Sequence, residues 1–219
     1  MLGMGLSLVT NDFKRIFLHP KAIILGLINQ IIILPILGFV IAKVSSISPE
    51  IAMDIMILAA CPGGPTSNLI SHLAKGDIAL SVSLTALSSF ITILTIPYII
   101  NFALEHFIEE GQMIQLDIFK TFAQILIITV IPVSIGMLIR KYKESFALKM
   151  AKPVRKASGI VIILVIVGIA IKEKDNFASY FQQAGVVALC LNIITMVVGY
   201  YSSRLLNLQN KQAISIVIE

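Results

Sequence analysis

Residues Ile78 to Leu104 form a run of 27 amino acids without one charged side chain. A helix rises about 1.5 Å per residue and a bilayer's hydrocarbon core is about 30 Å thick, so roughly 20 mostly apolar residues cross it. The composition agrees with that reading. Of 219 residues, 57% are hydrophobic and only 13% are charged, with a mean hydropathy of +0.94. A soluble domain carries about 25% charge. The chain therefore reads as an all-α integral membrane protein, a polytopic helical bundle in a lipid bilayer.

Further runs fit the same ruler. Ala22–Ala42 is an uncharged stretch of 21 between Lys21 and Lys43, with Gln30 and Pro35 inside it. Ile51–Ser71, Gln115–Ile139 and Asn176–Ser203 are also long enough, and the 15 residues of Ala157–Ile171 are extended by Lys152 and Lys156, which can snorkel. This predicts six full spans, with apolar fragments at Met1–Val9 and Lys211–Glu219. Met1–Leu8 lacks the basic region and cleavage motif of a signal peptide. Assigning loops to alternate sides separates the Lys and Arg residues sharply. Thirteen fall on 10–21, 75–77, 140–156 and 204–211, and four (Lys43, Lys120, Lys172, Lys174) on the other side. The positive-inside rule makes the first set cytoplasmic, which for a bacterial chain means the inner membrane. The net charge of +5 is thus anchoring charge and does not imply nucleic-acid binding. The two cysteines, Cys61 and Cys190, sit in apolar runs and offer neither a disulfide framework nor metal-ligand spacing.

One of these spans is interrupted. Pro62, Gly63, Gly64 and Pro65 follow one another within Ala59–Thr85. Two prolines remove two backbone donors and two glycines add freedom, so no helix passes unbroken. At membrane depth such a break is tolerated only where it is buried in protein or lines a cavity. Thr66, Ser67 and Asn68 follow at once and are good N-cap residues. The pattern predicts two half-helices of a discontinuous span, the usual place of ion and substrate sites in secondary transporters.

Polar residues inside spans are functional candidates: Gln30, Ser67, Asn68, Ser81, Thr85, Gln124, Asn192 and Glu219. Ser81 and Thr85 are four apart and share a helix face. Hydroxyls, an amide oxygen, carbonyls freed at the break and one glutamate are what a hard cation such as sodium requires. The half-helix starting near Ser67 would aim its positive end and free amides at an anion. Plainer readings exist for each residue. Membrane Ser and Thr usually bond their own backbone or a neighbouring helix. His72 reads as interfacial, Asp54 as near the outer surface, and Cys61 as a small packing residue at the break. The segment Arg140–Lys156 reads as a cytoplasmic anchor.

The stretches MGLSLVTNDFKRIFLHPKAIILGLINQIIILP, ILAACPGGPTSNLISHLAKGDIALSVSLT and IPVSIGMLIR resemble the bile acid:sodium symporter family of bacteria. The resemblance is sharpest from Met4 to Thr85. It implies ten helices in two inverted five-helix repeats, with a core domain bearing two crossed, broken helices packed on a panel domain. Core helices would lie at about 22–106 and 177–219, and panel helices at about 1–9 and 113–172. The family's first sodium site maps to Ser67, Asn68, Ser81, Thr85 and Glu219, and its second to Gln30 and Glu219 with residues just after that glutamate. Thr66, Ser67 and Asn68 would meet the substrate. The family's V-G-x-Q-N after the glutamate is missing, so the resemblance implies truncation at both ends and a piece that does not transport alone.

The function expected from residues and resemblance together is sodium-coupled symport of an organic anion, bile-acid-like or a small carboxylate such as a keto acid or pantoate. An arsenite-type efflux carrier of related fold is the alternative, with Cys61 as its thiolate. An intramembrane enzyme would need a paired nucleophile and base, and the only nearby pair, Ser71 and His72, are adjacent and do not face each other. A passive channel would need a charge ring facing a pore, which the sequence lacks.

Overall fold

The computed structural model describes residues 20–45, 47–108, 118–172 and 177–219. The expected fragment 1–9, the loop at 10–19 and the start of the span at Gln115 lie outside them. All regular structure among the described residues is helical: α1 (Pro20–Val44), α2 (Pro49–Ala60), α3 (Pro65–Leu73), α4 (Ile78–Phe107), α5 (Ile118–Tyr142), α6 (Glu144–Lys172), α7 (Phe177–Leu205) and α8 (Asn210–Ile218). By length and apolar composition Pro20–Val44, Ile78–Phe107 and Phe181–Leu205 can each cross a membrane, and Ala157–Lys172 is a shorter apolar helix.

Local chemistry explains most of the helix ends. Ser48 caps α2 and is followed by Pro49 at the first helical position. Asp77 caps α4, its carboxylate accepting from the N–H groups of Ala79 and Leu80 at 3.1 Å each. Both α3 and α7 end in a Schellman turn, with Lys75 (φ 58°) and Asn207 (φ 53°) in the left-handed position. Gly76 N–H reaches Ser71 O at 2.8 Å, and Leu208 N–H reaches Ser203 O at 3.1 Å. Asp77 N–H then donates to Lys211 O at 3.0 Å, tying the two turns together. The α3–α4 and α7–α8 corners thus meet at one end of the bundle. This contact carries α8 alongside the half-helix α3.

Two apolar clusters hold the helices together, one beside that corner and one toward the other end of α1. Ala22, Ile23 and Leu25 of α1 pack with Leu80 and Leu84 of α4 and Ile216 of α8. Ala42 of α1 packs with Ile51, Ala52, Ile55 and Ala59 of α2 and with Val187 and Leu191 of α7. Burying a Leu or Ile side chain contributes about 1.5–3 kcal/mol. In a membrane the gain is packing rather than dehydration, because lipid is as apolar as leucine. Outward faces are accordingly apolar too. Ile160, Leu164 and Ile171 of α6 are exposed, as the surface of a lipid-facing helix is.

The charged stretch 140–156 is not a loop. Residues 140–142 end α5, Lys143 is the only non-helical position, and α6 begins at Glu144 and runs through Pro153. Lys, Glu and Ala are good helix formers, so a charged segment can extend a span beyond the apolar layer as helix.

Candidate functional site

The break falls where the prolines and glycines place it, but its details differ from expectation. Helix α2 ends at Ala60, Cys61 to Gly64 are non-helical, and α3 starts at Pro65. The N-cap is Gly64, because Pro65 occupies the first helical position. Thr66, Ser67 and Asn68 therefore lie in the first turn rather than capping it. Ser67 Oγ donates back to Gly64 O at 2.6 Å. Cys61 is exposed rather than packed, since its extended backbone (φ −69°, ψ 143°) leaves the helix.

Three helices converge beside this break on one carboxylate. Glu219 Oε1 lies 2.8 Å from Ser67 Oγ of α3, 2.5 Å from Ser81 Oγ of α4 and 2.8 Å from Thr85 Oγ1 of α4. Asn68 Oδ1 joins the same group, 2.8 Å from Ser81 Oγ and 3.3 Å from Thr85 Oγ1. Ser81 and Thr85 are 0% and 1% exposed. Their spacing of four puts both on the face of α4 that looks at α3 and α8.

The proton count of this cluster matters. The hydroxyls of Ser67, Ser81 and Thr85 carry one proton each. They sit within hydrogen-bond range of Gly64 O, Ser81 O, Asn68 Oδ1 and Glu219 Oε1 in seven oxygen–oxygen contacts. With the Asn68 amide in this orientation, three hydroxyl protons face seven contacts, and four oxygen pairs meet with no proton between them. A surplus of lone pairs converging on a carboxylate is the environment of a hard cation. Among the described residues no group of three or more His, Cys, Asp and Glu side chains gathers to hold a metal. The donor set here is instead hydroxyl, amide and one carboxylate, suited to a monovalent ion.

The other carboxylate oxygen faces elsewhere. Glu219 Oε2 and Gln30 Oε1 are both buried without a hydrogen-bond partner among the described residues. Gln30 is 6% exposed and lies in a π-turn, Asn29–Ile33, where Leu34 N–H donates to Asn29 O. Pro35 has no N–H and its ring would strike the carbonyl four residues back, so the wider turn just before it relieves that clash. A Cβ at Gly63 would overlap Glu219 Oε2 and sit 3.2 Å from Gln30 Nε2. Glycine is thus needed at Gly63 so that the break, Gln30 and Glu219 can approach.

The structure brings together Gln30, Ser67, Asn68, Ser81, Thr85 and Glu219. It leaves Gln124 and Asn192 exposed on outer faces, as it does His72, Asp54 and Thr66. Sequence reasoning passed over the π-turn and its first residue, Asn29. The signal available was Pro35, whose clash must be absorbed about one turn earlier.

The family model described as the sodium bile acid symporter family matches residues 1–180. Over its full length the chain is 29% identical to 52% of a probable sodium/metabolite cotransporter, BASS1, of the chloroplast in Oryza sativa subsp. japonica. It is 28% identical, again over its full length, to 66% of a sodium-dependent transporter, YocS, of Bacillus subtilis. Over 76% of the chain it is 30% identical to 47% of the ileal sodium/bile acid cotransporter of Oryctolagus cuniculus. The chain spans about half the length of the curated relatives it matches. The matched relatives are transporters rather than enzymes. Helical architecture, an interrupted span and this match converge: the chain belongs to the sodium bile acid symporter family.

Proposed function

We propose that this chain forms part of a sodium-coupled symporter that imports an organic anion, bile-acid-like or a small carboxylate, by alternating access. The observation that carries the reading is the proton-poor oxygen cluster on Glu219 Oε1 beside the helix break. Sodium would take the first position among Ser67, Asn68, Ser81, Thr85 and Glu219. A second sodium would sit by Gln30 and the free Glu219 Oε2, beside the break. The printed names of the relatives support sodium as the coupling ion and a metabolite or bile acid as cargo. The anion's carboxylate or sulfonate would meet the amides of the first turn of α3, at Thr66, Ser67 and Asn68, where the half-helix dipole is positive.

Helices α1–α4, α7 and α8 form the core unit in this reading, and α5–α6 belong to a panel. In support, α5 packs on α4, and α6 packs on α5. The turn at 75–77 and the basic ends at 140–156 and 204–211 face the cytoplasm across the inner membrane. Uptake of radiolabelled organic anions by the intact protein in liposomes, with and without an inward sodium gradient, tests the proposal. Uptake should require sodium and saturate with it. Uptake that is equal in potassium refutes it.

A further inference from the structure

A cavity of about 60 Å³ lies between α1, α7 and α8, lined by Asn29, Gln30, Gly199 and Glu219 among others. That space holds a few water-sized particles. Three residues that line it each carry a side-chain oxygen buried with no hydrogen-bond partner among the described residues: Gln30 Oε1, Glu219 Oε2 and Asn29 Oδ1. The first two belong to the second sodium position proposed above. The third is assigned by nothing else in the molecule's chemistry, and an unpaired buried amide oxygen costs about 1–3 kcal/mol.

Its orientation is set by a chain of donors. Ser202 Oγ donates to Gly199 O at 3.1 Å, so the single hydroxyl proton is used and the oxygen is left to accept. Asn29 Nδ2 donates to that oxygen at 2.9 Å. Gly199 O also accepts from Ser203 Oγ at 2.7 Å, so the bond from Asn29 Nδ2 to Ser202 Oγ is what favours this orientation of the amide. In this orientation Oδ1 has no partner, and Asn29 lines the cavity that Gln30 and Glu219 also line. Asn29 and Gln30, the first two residues of the π-turn, both line this cavity.

We infer that Asn29 supplies a further protein oxygen to the second cation position, with Ser202 of α7 as the residue that orients it. The inference rests on the symporter reading. Its consequence is that α7, through Ser202, bears on the ion together with α1 and α8.

The test is saturable binding of radioactive sodium to the intact protein in liposomes, at alkaline pH, for wild type, Asn29→Leu, Asn29→Asp and Ser202→Ala. Leucine has nearly the shape of asparagine and no oxygen, so half-saturation should rise about tenfold. Aspartate keeps an oxygen and adds charge, so half-saturation should stay level or fall. Alanine at 202 loosens the amide but leaves its oxygen, so it should cost less than leucine at 29. Half-saturation within twofold of wild type in Asn29→Leu overturns the inference. So does an equal loss in all three variants, which would mark the amide as a strut between α1 and α7. If Asn29→Leu does not fold, Asn29→Asp decides alone: tighter or equal binding supports the inference and weaker binding overturns it. A wild type that binds no sodium yet takes up anions overturns this inference together with the symporter reading, whereas failure confined to the Asn29 variants leaves that reading standing.

Discussion

Replacing Thr85 by valine isolates one oxygen of the proposed first sodium position. The two side chains are nearly identical in shape, and Thr85 is 1% exposed, so the packing around α4 is kept. What disappears is an oxygen 2.8 Å from Glu219 Oε1 and 3.3 Å from Asn68 Oδ1. A hydrogen bond to a charged group is worth about 1.5–3 kcal/mol, which sets the upper scale for one hydroxyl contact here. The ion-free protein also loses a bond to the carboxylate, so part of the cost cancels between the two states. The net effect belongs at the lower end, about 1.4 kcal/mol or roughly tenfold in sodium half-saturation. Thr92→Val is the control. Its hydroxyl is 3% exposed and donates to Ser88 O at 2.7 Å within α4, away from Glu219. That change should cost about 1 kcal/mol of stability or less and leave sodium dependence alone. Two measurements read the outcome: uptake against sodium concentration, and thermal protection by sodium. At a hundredfold excess over Kd, bound ligand stabilises by about 2.7 kcal/mol, and a tenfold weaker site gives about 1.4 kcal/mol at the same concentration. Wild-type sodium dependence in folded Thr85→Val, or an equal shift in Thr92→Val, refutes the reasoning.

Glu219→Gln keeps the side chain's size and removes the negative charge on which Ser67, Ser81 and Thr85 converge; saturable sodium binding and uptake should both vanish, and uptake above about a tenth of wild type would contradict the assignment. Gly63→Ala places a methyl group where Glu219 Oε2 now lies, so the carboxylate must move away from Gln30. Sodium-driven uptake should then fall at least about tenfold, and an alanine variant with wild-type sodium titration would show that the close approach is dispensable. Cys61 is exposed and outside the oxygen cluster, so Cys61→Ser should hold uptake within about twofold of wild type, as for other exposed substitutions. Loss of transport in that variant, with arsenite protection, would favour the thiolate efflux carrier instead.

The break was legible because its causes are local. Two prolines and two glycines act on their own backbone whatever surrounds them, and the structure interrupts the helix at 61–64. The pairing of Ser81 with Thr85 was legible for a similar reason, since helical periodicity alone puts them on one face. The capping at the break was misread one step out, because Pro65 at the first helical position moves the cap to Gly64 and brings Thr66, Ser67 and Asn68 inside. The stretch 140–156 was misread because high charge was taken for a loop, when Lys and Glu are content in a helix that leaves the membrane. The meeting of Glu219 with Ser67, 152 residues earlier, had no local signal. It depends on the α3–α4 and α7–α8 corners docking through Asp77 N–H and Lys211 O, a tertiary event. Their chemistry marks them as one possible cation shell, and the resemblance to a family assigns them to a single site.

If Glu219 serves both proposed ion positions, the sharing has a mechanical consequence for coupling. Glu219 Oε1 faces the three hydroxyls while Oε2 lies beside Gly63 and Gln30. An ion held by Ser67, Asn68, Ser81 and Thr85 fixes the carboxylate's rotation and so fixes the position of Oε2. The second ion then finds an oxygen already placed, and the ordering cost falls on the first binding step alone. The same two ions would clamp α3 and α8 against the break, where the amides of the first turn of α3 await an anion. Emptying either position frees the carboxylate to swing, and the other oxygen set loses its only charge. In the proposed two-ion reading, ion binding and anion binding would thus meet at the same break, so each would favour the other.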